Sequence, residues 1–73
     1  MLKQEKLKVG MKVCYQPEYY KKDNKFENGI IKEIPDHRTD IVRVVYNCNN
    51  NWNYYYDYTS AQTPIEDLSI GWK

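Results

Sequence analysis

"IVRVVYNC", residues 41–48, carries the clearest strand signal in the chain. Val42, Val44 and Tyr46 recur at every second position, and Arg43 falls between them. A period of two sends alternate side chains to opposite faces of a sheet. β-Branched residues also favour a pleated surface. The segment therefore predicts a strand with one buried face.

Two segments before it predict further strands. Residues 9–16, "VGMKVCYQ", alternate and end at Pro17, which cannot donate to a ladder. Residues 29–34, "GIIKEI", are rich in β-branched side chains and end at Pro35. Asn28-Gly29 fits either a two-residue hairpin turn or a glycine bend where the strand begins, and we favour the bend. The alternating residues expected on the buried face of the first strand are Val9, Met11, Val13 and Tyr15.

The segment that follows residue 48 is dominated by aromatic side chains. Three asparagines at 49–51 predict a turn, because asparagine tolerates positive φ and bonds its own backbone. Residues 52–60, "WNYYYDYTS", then predict a fourth strand. One face of this strand would carry Trp52, Tyr54, Tyr56 and Tyr58, and the other would carry Tyr55 and Asp57.

The C-terminal segment combines a helix start with a last strand. In "TPIED", Thr63 suits an N-cap, Pro64 suits the first helical position, and Glu66 completes a capping box. Only one turn fits before "LSIGW", so we expect a single 3₁₀ turn. A fifth short strand follows from the alternation of Leu68, Ile70 and Trp72. Trp72 either closes the open end of the sheet, which we favour, or anchors a partner.

The chain length bounds the architecture. With 73 residues the chain is expected to form one domain, residues 1–73, that buries a modest core. Residues 1–8 are charged and are expected to be frayed or to form a single helical turn, whereas 18–28 and 35–40 are expected to be an exposed loop and a turn. The fold class predicted is all-β, a five-stranded small antiparallel barrel.

Charge and cysteine content exclude some classes of function. The formal net charge is +1, which argues against strong binding to phosphates. No apolar run is long enough for a signal peptide or a membrane span, so a cytoplasmic protein with no membrane contact is expected. Cys14 and Cys48 are expected to be free thiols, and whether they ever pair is left open.

The order of the elements resembles the Src-homology-type small barrels, and within them the Tudor-like branch. The resemblance is carried by "VGMKVCY", "NGIIKEI", "DIVRVVYN" and "PIEDLSI", which span residues 9–70. The tail "IEDL" followed by "GW" also looks like that of short bacterial and mobile-element proteins. The resemblance implies a binding surface of aromatic residues, met here by Tyr15, Tyr46, Trp52 and Tyr54, with Asp57 as the acidic neighbour. It further implies a phage or mobile-element regulator that occupies the surface of a host protein.

The aromatic segment supports three interpretations. Consecutive strand residues point to opposite faces, so a barrel of this size cannot bury the rings of both Tyr54 and Tyr55. The rings then either stiffen the sheet, form a protein-binding surface or stack on bases. We favour a non-enzymatic module that docks a protein partner around Tyr46, Trp52 and Tyr55, with the 18–25 loop either contacting the partner or only connecting strands.

The alternative partner is a nucleic acid. Bases would stack on tyrosines, and basic side chains would hold the phosphates. The 47–61 segment contains no Lys or Arg, so the charge must come from elsewhere. The candidates are Lys12, Lys21, Lys22, Lys25 and Arg43.

Catalytic and metal-binding patterns are weak. His37 is the only histidine and lies in the 35–40 turn. A catalytic Cys–His pair oriented by Asp36 or Asp40 is therefore only a formal possibility. Two cysteines 34 residues apart do not make a zinc set, and no glycine loop that cradles phosphates is present. We therefore expect no enzyme activity, no metal and no cofactor, and the oligomeric state is left open.

Overall fold

The computed structural model describes residues 2–73 and contains one antiparallel sheet. Its strands follow the order β4-β3-β2-β1-β5 across the sheet. No helix in the described part of the chain is long and apolar enough to cross a bilayer. The strands are β1 (Lys12–Tyr15), β2 (Glu27–Glu33), β3 (Ile41–Val45), β4 (Ala61–Pro64) and β5 (Leu68–Ile70).

The five-stranded antiparallel sheet is confirmed, but closure into a barrel is not seen. β4 and β5 are the two edges of the sheet, and within residues 2–73 no ladder joins them. They are consecutive in the chain and are separated only by a 3₁₀ turn over Ile65–Asp67. The sheet is therefore an open one whose two edge strands meet at a short corner.

The core lies on one face of the sheet, which we call the core face. Val42 and Val44 on β3 are fully buried there, as the alternation predicts. Their cross-strand partners lie on the same face because directly opposed residues share a side of the sheet, as Ile31 does opposite Val44. The buried core cluster consists of Leu7, Val13, Ile31, Val42, Val44, Ile65 and Leu68.

The opposite face, which we call the outer face, is also covered in its centre. Cys14 and Val45 point to this side and are fully buried. The C-terminal tail lies over it, since the indole Nε1 of Trp72 donates to the Gly29 carbonyl at 2.8 Å and the Trp72 ring packs against Trp52 with centroids 4.9 Å apart. A small sheet thus hides apolar residues on both faces.

The prediction of a fourth strand over 52–60 is wrong. Trp52–Asp57 form a 3₁₀ helix, irregular at Tyr54, which we call the aromatic helix. Asn49 and Asn50 both adopt positive φ, of 52° and 67°, in the turn that takes the chain out of the β3 ladder. The preference of tyrosine for strands depends on a pleated neighbour, and this turn removes that neighbour. The fourth strand forms later, at Ala61–Pro64.

Several smaller predictions also need correction. The 18–28 segment is not only a loop, because Glu18–Lys21 form one helical turn, α1. The single 3₁₀ turn predicted before β5 is confirmed at Ile65–Asp67, but no side chain caps it, so the predicted capping box does not form. Thr63 lies in β4 instead of serving as an N-cap. Val9 is exposed, and Gly29 lies inside β2, which begins at Glu27, so it is neither a hairpin turn nor the favoured bend at the start of the strand.

The N-terminal segment is held to the sheet by one side chain. Gln4–Lys6 form a 3₁₀ turn, in line with the single helical turn expected there, although Met1 lies outside the described residues. The side-chain Nε2 of Gln4, which carries two hydrogens, lies within hydrogen-bonding distance of three backbone carbonyls, in the β2–β3 connection and at the start of β3. These carbonyls belong to Pro35, Arg38 and Ile41, at 3.4, 2.5 and 3.0 Å. The segment then places Leu7 in the core.

Replacing Gln4 by glutamate is expected to lower the free energy of unfolding by about 2 kcal/mol at neutral pH, because a carboxylate only accepts hydrogen bonds and would face three carbonyl oxygens. Urea titration measures the loss. At pH 3 the protonated acid regains one donor, so the difference from wild type is expected to shrink. Glu5→Gln, at an exposed neighbouring position, is the control and is expected to stay within about 0.5 kcal/mol of wild type. An equal loss in both variants would contradict the role of Gln4.

Candidate docking surface

Four tyrosines from three segments gather at one end of the sheet. Tyr15 packs edge-on against Tyr20 with centroids 5.4 Å apart, and it packs against Tyr46 in a tilted arrangement at 5.8 Å. Tyr19 packs edge-on against Tyr20 at 4.9 Å. Edge-to-face pairs at such distances are favourable for aromatic rings. We call Tyr15, Tyr19, Tyr20 and Tyr46 the tyrosine cluster.

Strand periodicity positions two members of the cluster. Tyr15 ends β1 on the same face as Val13, and Tyr46 follows β3 in step with Val44. Both rings therefore project from the core face where the sheet ends. Each is only partly buried, so the cluster continues the core out to the surface.

The chain after β1 supplies the other two rings. Pro17 is buried, and its carbonyl accepts a hydrogen bond from the Tyr20 N–H at 2.9 Å, which starts α1. The Lys25 N–H donates to the Tyr20 carbonyl at 2.9 Å, and the Gln16 side chain donates to the Lys25 carbonyl at 2.9 Å. The loop is thus closed on itself, and it holds the Tyr19 and Tyr20 rings beside Tyr15.

Hydroxyl groups fix the rings without covering them. The Tyr20 hydroxyl donates to the Glu27 carboxylate at 3.1 Å, and the hydroxyls of Tyr15 and Tyr19 lie 3.4 Å apart. The Tyr46 hydroxyl lies 2.9 Å from Thr63 Oγ1. The Tyr19 side chain is nevertheless 63% exposed. The arrangement presents aromatic area to solvent in a fixed geometry.

The ionisation of the cluster reflects this packing. Burial raises the pKa of Tyr46 to about 12, and the nearby Glu27 carboxylate adds to the rise, while the hydrogen bond with Thr63 opposes it. The hydrogen bond with Tyr19, and then burial, raise the pKa of Tyr15. The hydrogen bond to Glu27 raises the pKa of Tyr20. Tyr15, Tyr20 and Tyr46 are therefore uncharged at neutral pH.

A loss of stability at alkaline pH is expected from Tyr46. Its folded-state pKa lies above the unfolded value of about 10, so folding favours the neutral phenol. The stabilisation is complete below pH 10 and is lost as the pH rises towards 12. Urea midpoints at pH 9, 10 and 11.5 measure the loss, and Tyr46→Phe is expected to reduce its slope. An unchanged slope in Tyr46→Phe would contradict the assignment.

The aromatic helix forms a second aromatic surface. Trp52 packs on Trp72, whose ring lies under the Lys12 ammonium at 4.7 Å. Tyr54 and Tyr56 are exposed, with centroids 6.3 Å apart. Lys12 and Tyr15 are three residues apart on β1, so they project to opposite faces of the sheet. The Trp52–Trp72 pair and the tyrosine cluster therefore lie on opposite faces of the sheet.

The predicted site residues are divided between these two surfaces. Tyr15 and Tyr46 come together in the tyrosine cluster. Four others lie on the aromatic helix, where Tyr55 is half-buried with its hydroxyl near Gly10 and Asp57 is exposed. These four are Trp52, Tyr54, Tyr55 and Asp57.

Sequence reasoning missed Tyr19 and Tyr20 as members of the site. They stand in a segment that is otherwise polar, so the segment was expected to be a solvent-exposed loop. The available signal was the aromatic pair itself, placed directly after the proline that ends β1. Two adjacent rings are unusual in a connection that only has to be soluble.

The candidate phosphate-binding side chains are scattered. Arg43 faces Glu33 at 3.8 Å, Lys12 lies over Trp72, and Lys21 pairs with Glu18 at 3.3 Å. Lys22 and Lys25 are exposed in the connection that carries Tyr19 and Tyr20. Among the five candidates, these two make no ion pair or cation–π contact in residues 2–73.

Catalytic and metal-binding groups do not converge. In residues 2–73 no three side chains of His, Cys, Asp or Glu are grouped so as to hold a metal ion. Cys14 and Cys48 are buried free thiols, and burial raises the pKa of Cys14. His37 is exposed in the turn before β3. His37 and the two cysteines therefore lie in separate parts of the described structure.

Comparisons with known proteins find none that is similar to this chain. No family model, no curated protein and no solved structure matches the chain. Its function is therefore proposed from the geometry of its own residues.

Proposed function

We propose that the chain is a non-enzymatic binding module that docks a protein partner on the tyrosine cluster. The observation that carries this proposal is the packing of four tyrosine rings, from three segments of the chain, at centroid distances of 4.9–5.8 Å with Tyr19 largely exposed. Tyrosine is among the residues that dominate binding energy at protein interfaces.

Pre-organisation supports a protein partner. The rings of the cluster are held by hydrogen bonds to Glu27 and Thr63, so little side-chain freedom remains to be lost on binding. Tyrosine also gives a large contact area with only two side-chain torsions. Charged groups of both signs surround the rings, with Glu27 on one side and Lys22 and Lys25 in the loop. A hydrophobic centre with a charged rim is the usual anatomy of an interface.

The proposal includes the fold family. We propose that the sheet is a Tudor-like small barrel that stays open between β4 and β5. The strand order and the 3₁₀ turn between the edge strands support this assignment. The resemblance of the tail to bacterial mobile-element proteins supports a partner that belongs to a host cell, with the module acting in its cytoplasm.

The test is capture of a partner from a bacterial lysate on immobilised protein. Tyr19→Ala combined with Tyr20→Ala is expected to reduce the captured amount at least tenfold. Tyr54→Ala combined with Tyr56→Ala is the matched control, because it removes the same two side chains from the aromatic helix, where both are exposed. Far-UV circular dichroism checks the fold of both variants. Equal capture by wild type and the Tyr19/Tyr20 variant would overturn the proposal.

A nucleic acid is the second candidate partner. The observation that favours it is the position of Lys22 and Lys25, which are exposed beside Tyr19 and Tyr20 and make no ion pair in the described part of the chain. Base stacking on aromatic rings with lysines nearby is a common mode for single strands. Binding to a single-stranded oligonucleotide would then fall steeply with salt. No gel shift at low ionic strength would exclude this candidate.

A further inference from the structure

The free edge of β4 displays unpaired backbone groups. The Ile65 N–H donates to the Asp40 carbonyl at 3.0 Å. The antiparallel register pairs Thr63 with Val42 and Gln62 with Arg43. Since hydrogen-bonded and non-hydrogen-bonded pairs alternate along an antiparallel ladder, Thr63 bonds to β3 and Gln62 points away from it. The N–H and C=O of Gln62 therefore face the open edge, which no other strand in residues 2–73 covers.

A cavity lies beside this edge on the core face. Its volume is about 340 Å³, and no charged side chain lines it. Tyr46, a member of the tyrosine cluster, and Tyr58 are its largest lining residues, whereas Ser60 and Ala61 are small. Ala61 shares the core face with Val44, its cross-strand partner. The small side chain of Ala61 thus leaves the cavity open at the point where the edge is unpaired.

We propose that an extended segment of the protein partner adds to the free edge of β4 and inserts one uncharged aromatic or aliphatic side chain into this cavity. This inference rests on the proposed function, because Tyr46 belongs both to the tyrosine cluster and to the cavity. Strand addition draws affinity from the backbone and specificity from pockets at alternate positions. Here the backbone of Gln62 would supply the affinity, and the cavity between Tyr46 and Tyr58 would supply the specificity.

The chemistry of the cavity selects the inserted residue. A charged side chain would lose its hydration there and gain no ionic partner, which is costly. An aromatic or aliphatic side chain opposite Ala61 would pack against Tyr46 and Val44.

Pro64 limits the length of the added strand. Its backbone faces the open edge, as that of Gln62 does, but it lacks an N–H, so the added strand is limited to the Ser60–Gln62 end of the edge.

The test uses a blocked seven-residue peptide of alternating threonine and valine with a central phenylalanine, titrated into ¹⁵N-labelled protein. Amide exchange at Ser60 and Gln62 is expected to slow at least fivefold in the bound state, while Thr63 is already protected by β3. The same peptide with a central lysine is expected to bind at least tenfold more weakly. Absence of binding, or binding without protection at Gln62, would overturn the inference.

Two substitutions at Gln62 test the backbone edge, and one at Ala61 tests the cavity. Gln62→Pro removes the outward N–H and spares the ladder to β3, and it is expected to weaken peptide binding at least tenfold. Gln62→Ala keeps that N–H and is expected to bind within about twofold of wild type. Ala61→Leu fills the cavity and is expected to weaken binding of the phenylalanine peptide. If Gln62→Pro does not fold, the amide exchange rates of Ser60 and Gln62 in the wild-type protein, with and without peptide, test strand addition by themselves.

The outcomes separate this inference from the proposed function. A captured partner that is lost with Tyr19→Ala and Tyr20→Ala but retained by Gln62→Pro would leave the docking surface in place and overturn strand addition. Retention by all variants would overturn the docking surface itself. Concentration-dependent dimers with protected Gln62 amides and no peptide binding would overturn the partner segment in favour of a second copy of this chain.

Discussion

Gly29→Ala is expected to lower the free energy of unfolding by about 3 kcal/mol, the upper end of the usual range for overpacking. A Cβ atom at this position would lie 2.5 Å from Val44 Cγ1 and 2.8 Å from the Val45 carbonyl oxygen. It would also lie 3.0 Å from the Tyr46 ring. Two of these neighbours belong to β3, which pairs with β2, so they cannot move away without disturbing the sheet.

The consequence should be visible in both stability and binding. A domain of this size has a free energy of unfolding near the low end of about 5–15 kcal/mol, so most of it would be lost. The displaced Tyr46 ring would also open the tyrosine cluster. Urea unfolding followed by far-UV circular dichroism measures the stability.

Gly71→Ala is the matched control for Gly29→Ala. Gly71 has a φ of +90°, but no heavy atom lies within 4 Å of the added Cβ. The cost there is backbone strain alone, about 1 kcal/mol. An equal loss in the free energy of unfolding for Gly29→Ala and Gly71→Ala would contradict the close packing of β2 against the end of β3.

Trp72→Ala is expected to lower the free energy of unfolding by about 3 kcal/mol, the low end for loss of a large aromatic ring. The ring packs on Trp52 and lies under the Lys12 ammonium, and its Nε1 donates to the Gly29 carbonyl. Without the ring, the outer face of β1 and β2 would lose its cover, and Cys14 would become accessible.

A conservative variant separates packing from hydrogen bonding. Trp72→Phe keeps an aromatic ring and loses the donor, so it is expected to cost about 1 kcal/mol. Urea unfolding measures both variants, and the reaction of Cys14 with a thiol reagent in native buffer reports the exposure of the outer face. Unchanged thiol reactivity in Trp72→Ala would contradict the covering role of the tail.

The strands with the strongest alternation were predictable from the sequence. β3 follows from its run of β-branched residues, and β1, β2 and β5 follow from alternation and from the prolines that end segments. β4 was not predictable, because "AQTP" has one buried side chain, Thr63, and no apolar pattern. Its pairing with β3 depends on tertiary context.

The aromatic helix shows why local preference was misleading. Tyrosine favours a pleated, half-buried surface, but the positive φ of Asn49 and Asn50 directs the chain away from the β3 ladder. For the docking surface, Tyr15 and Tyr46 were predictable as the ends of alternating strands. Tyr19 and Tyr20 were not, since their position beside Tyr15 depends on a loop that hydrogen bonds within residues 16–25 close on itself.

The most direct test of the account is hydrogen–deuterium exchange of the module alone and in complex with its captured partner. We expect slower exchange in residues 15–26, which carry three rings of the tyrosine cluster, and at 45–47 around the fourth. Exchange in residues 52–57 of the aromatic helix is expected to be unchanged. Protection confined to 52–57, with 15–26 unaffected, would contradict the claim that the partner docks on the tyrosine cluster.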